Sequence, residues 1–403
     1  MSSTLGNVVR RPARFLLLRI HNQVLLVLVI IAAASVAAAG FVGVAPNRLV
    51  SGTPIPLWMA ADRLSTTGIT LLVAILLVSC TMTPSKLLHL AVAVTAGLLL
   101  LLVLAVAGHA ARMLASGASS ASRFSLGAAF WILAGCAALA VADALQRLQS
   151  GVGTQLIAVL VIVTGAGLLA AAGTFDALSI AREYDSRRQL FADALGRHMS
   201  LVGASVAAAV VIGFPLGVMA AKKPRLRGPV FASLNLLQTI PSIALFGLLI
   251  VPLSALVASV PQLAAFGIGG IGVAPALIAL VLYALLPVAR NTSAGLANVD
   301  EAVIESGRGM GLANRQIFYQ VELPLALPVL LAGLRIVTVQ SIGLAVVAGL
   351  IGAGGLGTFV WEGLGQYAVD LVLLGALPAI FLALAADFVL QILSTVLRRC
   401  FAP

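Results

Sequence analysis

Long apolar runs separated by short polar breaks fill this chain. Ten such runs stand out, at 24–43, 66–82, 87–108, 127–144, 154–173, 198–221, 231–258, 268–289, 329–351 and 371–397. Most approach the roughly 20 apolar residues that a helix needs to cross a hydrocarbon core of about 30 Å. The runs are continuous and do not alternate, which excludes a membrane β-barrel. The pattern predicts an all-α polytopic membrane protein with about ten transmembrane helices. Only two long polar segments interrupt it, 174–197 and 298–328.

The second segment, NVDEAVIESGRGMGLANRQIFYQVELPLALP, has the grammar of a helix–turn–helix. Asp300 can cap a first helix, Gly311 can end it in a left-handed turn, and Asn314 can cap a second. Ile317, Phe318 and Val321 then make an apolar face opposite Arg315, Gln316 and Glu322. Pro324 and Pro328 close the segment and begin the next span. An amphipathic hairpin wedged between two apolar spans reads as a docking element.

Composition sharpens this picture. The chain is 61% hydrophobic and 9% charged, against globular averages of about 45–50% and 25%. The net charge of +11 reflects basic residues gathered in short loops that fix orientation, so no nucleic-acid partner is implied. Ten spans put both termini on one side. Arg10, Arg11, Arg14, Arg19, Lys86, Arg147, Lys222, Lys223, Arg225, Arg227, Arg398 and Arg399 then share the cytosolic face with the hairpin. The resulting bias is roughly two to one. The expected organisation is an N-terminal membrane region 1–175 of about five spans, a periplasmic amphipathic linker 176–197, and a second region 198–403. In the linker, Leu190, Ala192 and Ala194 form a weak apolar stripe suited to a membrane surface.

Candidate chemistry is sparse. Asn235, Gln238, Thr239 and Ser242 recur at helical spacing on span seven, which Pro241 should kink. Thr338 and Ser341 follow Arg335 on span nine. Polar groups in hydrocarbon need partners or water, so these six are translocation-path candidates, with interhelical hydrogen bonding as the plainer reading. Arg335 reads as a structural ion pair with Asp387 of span ten, and Asp143 as a satisfied boundary charge. Two GxGxxG strings, Gly267–Gly272 and Gly352–Gly357, lack the preceding strand and following acid of a dinucleotide fingerprint. They read as re-entrant or gate turns. No GxxxxGK[ST] phosphate loop, metal-ligand spacing or nucleophile–base pair occurs, so the chain is expected to be non-catalytic and to bind no metal or cofactor.

One resemblance organises these facts. Glu305-Ser-Gly307, Gly311 six residues after Glu305, and Val321-Glu-Leu323-Pro324 resemble the EAA loop of permease subunits in binding-protein-dependent ABC importers. Ser306, Gly307 and Val321 depart from the usual Ala, Ala and Ile. Fragments such as LQTIPSIALFGLL, LYALLPVARNT and IGAGGLG are similar to the osmoprotectant (glycine betaine) branch, which has a long form with additional N-terminal spans. The resemblance implies that the C-terminal five spans form a type I permease core in a bacterial inner (cytoplasmic) membrane. It further implies a cytosolic ABC ATPase carrying ATP and Mg, a periplasmic substrate-binding protein and a second permease subunit, identical or homologous. Glu305, Gly307, Gly311, Ile317, Phe318, Val321, Leu323 and Pro324 would couple to the ATPase, with Ile317 and Phe318 in its groove. The implied cargo is glycine betaine, choline or a related quaternary amine. The alternative is an ion-gradient-driven secondary transporter, favoured by the twin glycine turns but disfavoured by the scarcity of mid-membrane acids.

Overall fold

The computed structural model describes residues 20–401 apart from positions 49, 51 and 150. Arg10, Arg11, Arg14 and Arg19 lie outside the described residues, as do the side chains of Arg398 and Arg399. The chain divides into two compact units, Met1–Ser179 and Ile180–Pro403.

In the first unit α1 (Gln23–Ala38) leads into strands β1 (Val42–Ala45) and β2 (Thr53–Ile55). These are followed by α2 (Leu57–Ala60), α3 (Arg63–Ser79), α4 (Lys86–Ala115), β3 (Arg123–Leu126), α5 (Ala128–Arg147) and α6 (Val152–Ala171). The strands form an antiparallel sheet in the order β2-β1-β3, with Val42 opposite both Ile55 and Leu126. Among the described residues this small sheet is the one departure from an all-helical fold, and strands of three or four residues are too short to show an alternation in sequence. α1 therefore ends at Ala38, where 24–43 was expected to continue as one span. Ala96, Ala107 and Ala110 of α4 and Ala137, Ala140 and Ala144 of α5 are fully buried, the small-residue packing typical of membrane helices. Asn22 caps α1 by accepting from the Leu25 N–H and donates to Asp143 at 2.9 Å, where Arg147 also arrives at 2.8 Å. Asp143 is thus a satisfied charge at a helix end.

The second unit contains α7 (Ser179–Ser186, beginning at the unit boundary), α8 (Arg188–Lys222), α9 (Pro224–Thr239), α10 (Ser242–Ser259) and α11 (Val273–Ala297). It continues with α12 (Glu301–Gly309), α13 (Asn314–Ile317), α14 (Leu323–Ala348), α15 (Gly357–Gly365) and α16 (Val369–Phe401). The stretch expected to be a linker is instead built into α7 and the first turns of α8. Phe191 packs 6.1 Å from Phe359 and joins Ala194 against Leu371 and Leu374, while Arg187 bonds Glu362 at 3.1 Å. Leu190 remains exposed. The expected span 231–258 is two helices, because the chain opens at Ile240-Pro241.

Among the described residues eight helices are long and apolar enough to cross a membrane, three in the first unit and five in the second. The remaining two expected spans are α1 and α3, with 16 and 17 residues. At 1.5 Å per residue these reach about 24–26 Å, short of the hydrocarbon thickness.

α8 packs closely on α11 because Gly213 and Gly217 sit one turn apart. A Cβ at Gly217 would lie 2.5 Å from Thr292 Cβ, and one at Gly213 would lie 2.9 Å from Val288 Cγ1. This is the small-xxx-small solution to helix packing in lipid. α14 and α16 are tied by Arg335 and Asp387, whose guanidinium and carboxylate meet in two parallel contacts, Nη2–Oδ2 at 2.6 Å and Nε–Oδ1. Removing one partner strands the other charge, whereas removing both does not. Asp387→Leu is expected to lower the thermal stability of the detergent-solubilised protein. Arg335→Leu/Asp387→Leu should recover most of the loss, with a coupling of about 1–2 kcal/mol in the double-mutant cycle.

Candidate functional site

The hairpin 298–328 is held by its own backbone. Asp300 accepts from the Ala302 N–H at 3.0 Å and starts α12. At the other end Gly311 N–H donates to Arg308 O at 2.9 Å and Leu312 N–H to Gly307 O at 3.1 Å, a Schellman closure with Gly311 at φ +80°. Gly307 has no such need: a Cβ there would make ordinary contact with Ile317 and Leu312 at 3.6 and 3.7 Å. The second helix is capped at Ala313, whose N–H donates to Gln316 Oε1 at 2.8 Å, so Asn314 is its first residue and not its cap.

The second arm does not stop. From Asn314 the chain is helical to Ile351, through a π-helical turn at Phe318–Glu322. Pro324 has no N–H for the Gln320 carbonyl, so the regular ladder is broken there in any case. Leu323 N–H reaches back to Phe318 O, and the turn widens. Val321, Leu323 and Pro324 thus lie where the arm becomes span nine, with no hinge between them.

Widening also rotates the arm. Glu322, expected on the polar outer face, is 4% exposed and accepts from Lys222 Nζ at 2.5 Å. Lys222 lies 5.9 Å above the Phe318 ring. Ile317, expected to face a partner, is 3% exposed and packs inward toward Gly307 and Leu312. The outward apolar side chains are Val303, Met310 and Tyr319 instead, and Phe318 is half-buried. Glu305 is exposed on α12. The arms, Lys222 of α8 and Glu322 enclose a cleft of about 470 Å3.

The polar face of α9 is taken up by hydrogen bonds within the unit. Gln238 Nε2 donates to Tyr283 O at 2.9 Å. That carbonyl lacks its usual donor because residue 287, four positions on, is proline. Tyr283 Oη returns a hydrogen bond to Ile240 O at the α9–α10 opening. Asn235 accepts from Arg290 at 3.1 Å, Thr239 donates to Leu236 O, and Thr338 to Leu334 O. Ser341 is buried at 2% exposure, and Ser242 is half-buried at the start of α10. Among the described residues no hydrogen bond joins the α9–α10 set to the α14 set. The sequence reading gave Lys222 only an orienting charge and assigned no bonding role to Tyr283 or Arg290, although a lysine ending an apolar run and a lone tyrosine within one were visible signals.

At the end of the unit opposite the hairpin the two glycine strings meet. Gly272 N–H donates to Ile351 O at 2.9 Å, and Arg197 Nε reaches Ala353 O at 3.3 Å. Gly354 and Gly355 have φ of +80° and +81°, and a Cβ at Gly355 would press on fully buried His198 at 3.2 Å. Both strings are turns joining helices.

Comparison with known proteins places this geometry. Residues 213–399 match the family described as binding-protein-dependent transport system inner membrane component. Osmoprotectant import permease protein OsmW of Salmonella typhimurium is 41% identical over 201 residues, 50% of this chain and 88% of OsmW. The chain belongs to the ABC importer permease family. Residues 21–181 match the N-terminal domain of ABC transporter permease YehY. Glycine betaine/carnitine/choline transport system permease protein OpuCB of Bacillus subtilis is 34% identical over 197 residues, 49% of this chain and 83% of OpuCB. Among solved structures, an inward-facing MetNI methionine ABC transporter chain is 24% identical with a TM-score of 0.47, covering 53% of this chain and 98% of its own. The protein is therefore a multi-pass permease subunit of an ABC importer, and the ion-gradient alternative is set aside.

Two predictions test the permease's local architecture. Gln238→Leu should cost about 1–3 kcal/mol by orphaning the Tyr283 carbonyl. Gln238→Leu/Pro287→Ala should restore much of it, since the substituted alanine supplies the missing backbone N–H; thermal unfolding of the three variants reads this out. In the hairpin, Gly311→Ala should loosen the turn by about 1–2 kcal/mol, whereas Gly307→Ala should be neutral or favourable. Hydrogen exchange at the 307–317 amides distinguishes the two.

Proposed function

We propose that this permease carries glycine betaine, choline, carnitine or a related quaternary amine across the cytoplasmic membrane of a bacterium. A periplasmic binding protein delivers the solute, a second permease subunit completes the path, and a separate cytosolic ATPase holding ATP and Mg drives the cycle. The observation that carries the solute class is the identity of 34% and 41% over about half of the chain to OpuCB and OsmW, whose names state glycine betaine, carnitine and choline transport and osmoprotectant import. The missing phosphate loop supports an ATPase on another chain, and basic residues at Arg147 and 222–227 support a cytosolic hairpin with both termini on that side.

The coupling element is the hairpin, with Glu305, Gly311, Phe318 and the exposed Met310 and Tyr319 at the ATPase. Its second arm runs unbroken into span nine, and Lys222–Glu322 ties the base of that arm to the end of α8. A displacement of the hairpin is thus delivered to two spans together. Such coupling requires contacts that differ between the two transporter states. Asn235, Gln238, Thr239, Ser242, Thr338 and Ser341 remain the path candidates, with Gln238 and Asn235 also holding the backbone and α11.

Reconstitution decides the matter. Uptake into proteoliposomes should require binding protein, ATPase and ATP, and should show preference for quaternary amines over zwitterionic amino acids. Uptake by the chain alone on a proton or sodium gradient would overturn the proposal. Gly311→Pro and Tyr319→Asp are expected to insert normally yet lose ATPase association and transport. Normal co-purification and uptake by both would remove the hairpin from the coupling role.

A further inference from the structure

The cleft inside the hairpin has a chemistry of its own. Its wall combines three cations, Lys222, Arg308 and Arg315, with one acid, Glu322. Glu322 is already held by Lys222 through both carboxylate oxygens. Among the described residues neither Arg308 nor Arg315 has a carboxylate partner; Arg315 instead lies 5.8 Å over the exposed Tyr319 ring. Both arginines are exposed, so the cleft presents a net positive rim. Its floor is apolar, made by Ile304, Ile317 and Phe318.

We infer that this cleft receives an acidic segment of the ATPase, with one or more carboxylates on Arg308 and Arg315 and an apolar side chain on the Ile304–Phe318 floor. The inference rests on the docking role proposed for the hairpin and goes further. It makes the permease a socket as well as a plug, and it fixes the charge of the inserted segment. A cationic rim over an apolar floor suits an amphipathic peptide segment better than a fully hydrated inorganic anion, which gains nothing from the floor. Planar guanidinium forks suit carboxylates, which they bind through paired N–H donors. Opposite charge at this place also orients the encounter and gives it a salt dependence.

The test uses the full chain in nanodiscs and the purified ATPase of the same transporter, with affinity measured from low to high salt. Arg308→Gln/Arg315→Gln is expected to weaken ATPase binding about tenfold at low salt and to flatten the salt dependence. Arg308→Lys/Arg315→Lys, which keeps the charge, should retain most of both. Wild-type affinity and salt dependence in the Gln variant would overturn the inference. If Gly311→Pro loses the ATPase while the Gln variant keeps it, docking stands and the socket falls. If both bind as wild type, the docking role falls with it. A further arm titrates permease without ATPase with inorganic phosphate and with phosphatidylglycerol vesicles. Saturable binding of either, lost in the Gln variant while ATPase affinity is unchanged, would assign the cleft to a phosphate ligand and overturn the inference.

Discussion

A carbonyl released by a broken helix inside a membrane must find a donor, because hydrocarbon offers none. Unit two is built around that requirement. Pro287 deprives Tyr283 O of its donor, and Gln238 supplies one. The opening at Ile240-Pro241 frees Ile240 O, and Tyr283 Oη takes it. Where α14 ends, Ala353 O accepts from Arg197 and Ile351 O from Gly272 N–H. Every one of these donors comes from a different helix or turn from its acceptor. The breaks therefore cross-link the bundle, and a unit rich in irregular backbone gains rigidity from its irregularities.

The same logic operates at the hairpin with charge in place of amides. A π turn at the root of span nine leaves Glu322 facing inward, and an ionised carboxylate that is 4% exposed needs a counter-charge. Lys222, at the last turn of α8, provides it and keeps part of its own side chain in water. Since the helix from Asn314 to Ile351 is continuous, the pair fixes the angle between the second arm and the membrane spans. Local rigidity at Gly311 then fixes the first arm to the second. On the proposed coupling role, a displacement at Met310 or Tyr319 would reach α8 and α14 through this pair and the continuous helix.

How much of this was legible depended on whether the feature was local. Asp300 and the glycine turn at 311 are local signals, so the first arm and its turn could be read directly, whereas the prolines taken to close the hairpin lie within a helix that runs on from Asn314 to Ile351. Four of the five core spans were equally plain from hydropathy, while 231–258 was read as one span across the Ile240-Pro241 opening. Helical phase was not. Assigning Ile317 outward and Glu322 to the polar face assumed about 100° per residue throughout, and the π turn breaks that assumption between them. The packing of 176–197 was hidden for a related reason: Phe191 and Ala194 are partly buried against α15 and α16, partners more than 150 positions away that no window on 176–197 contains. The β2-β1-β3 sheet has strands below the length at which a period can be seen. Gly213 and Gly217 carried no signal that singled them out among the many glycines of the chain; only their partners Val288 and Thr292 on α11 show that they let α8 and α11 approach closely.

The polar residues of α9 bear on selectivity. Gln238 is committed to an orphaned carbonyl, Asn235 to Arg290, and Tyr283 by its hydroxyl to Ile240. Groups already committed to partners in the fold are not free to enclose a quaternary ammonium, which in any case prefers the faces of aromatic rings; the whole chain has three tryptophans and four tyrosines. On the proposed reading, discrimination among amines therefore belongs to the binding protein, and the membrane path needs only to admit what is handed to it. A path of that kind tolerates substitution of its lining but not of its scaffold. This separates the two roles of Gln238: its loss should reduce stability, and with stability restored through Pro287→Ala it should leave the ranking of transported amines unchanged.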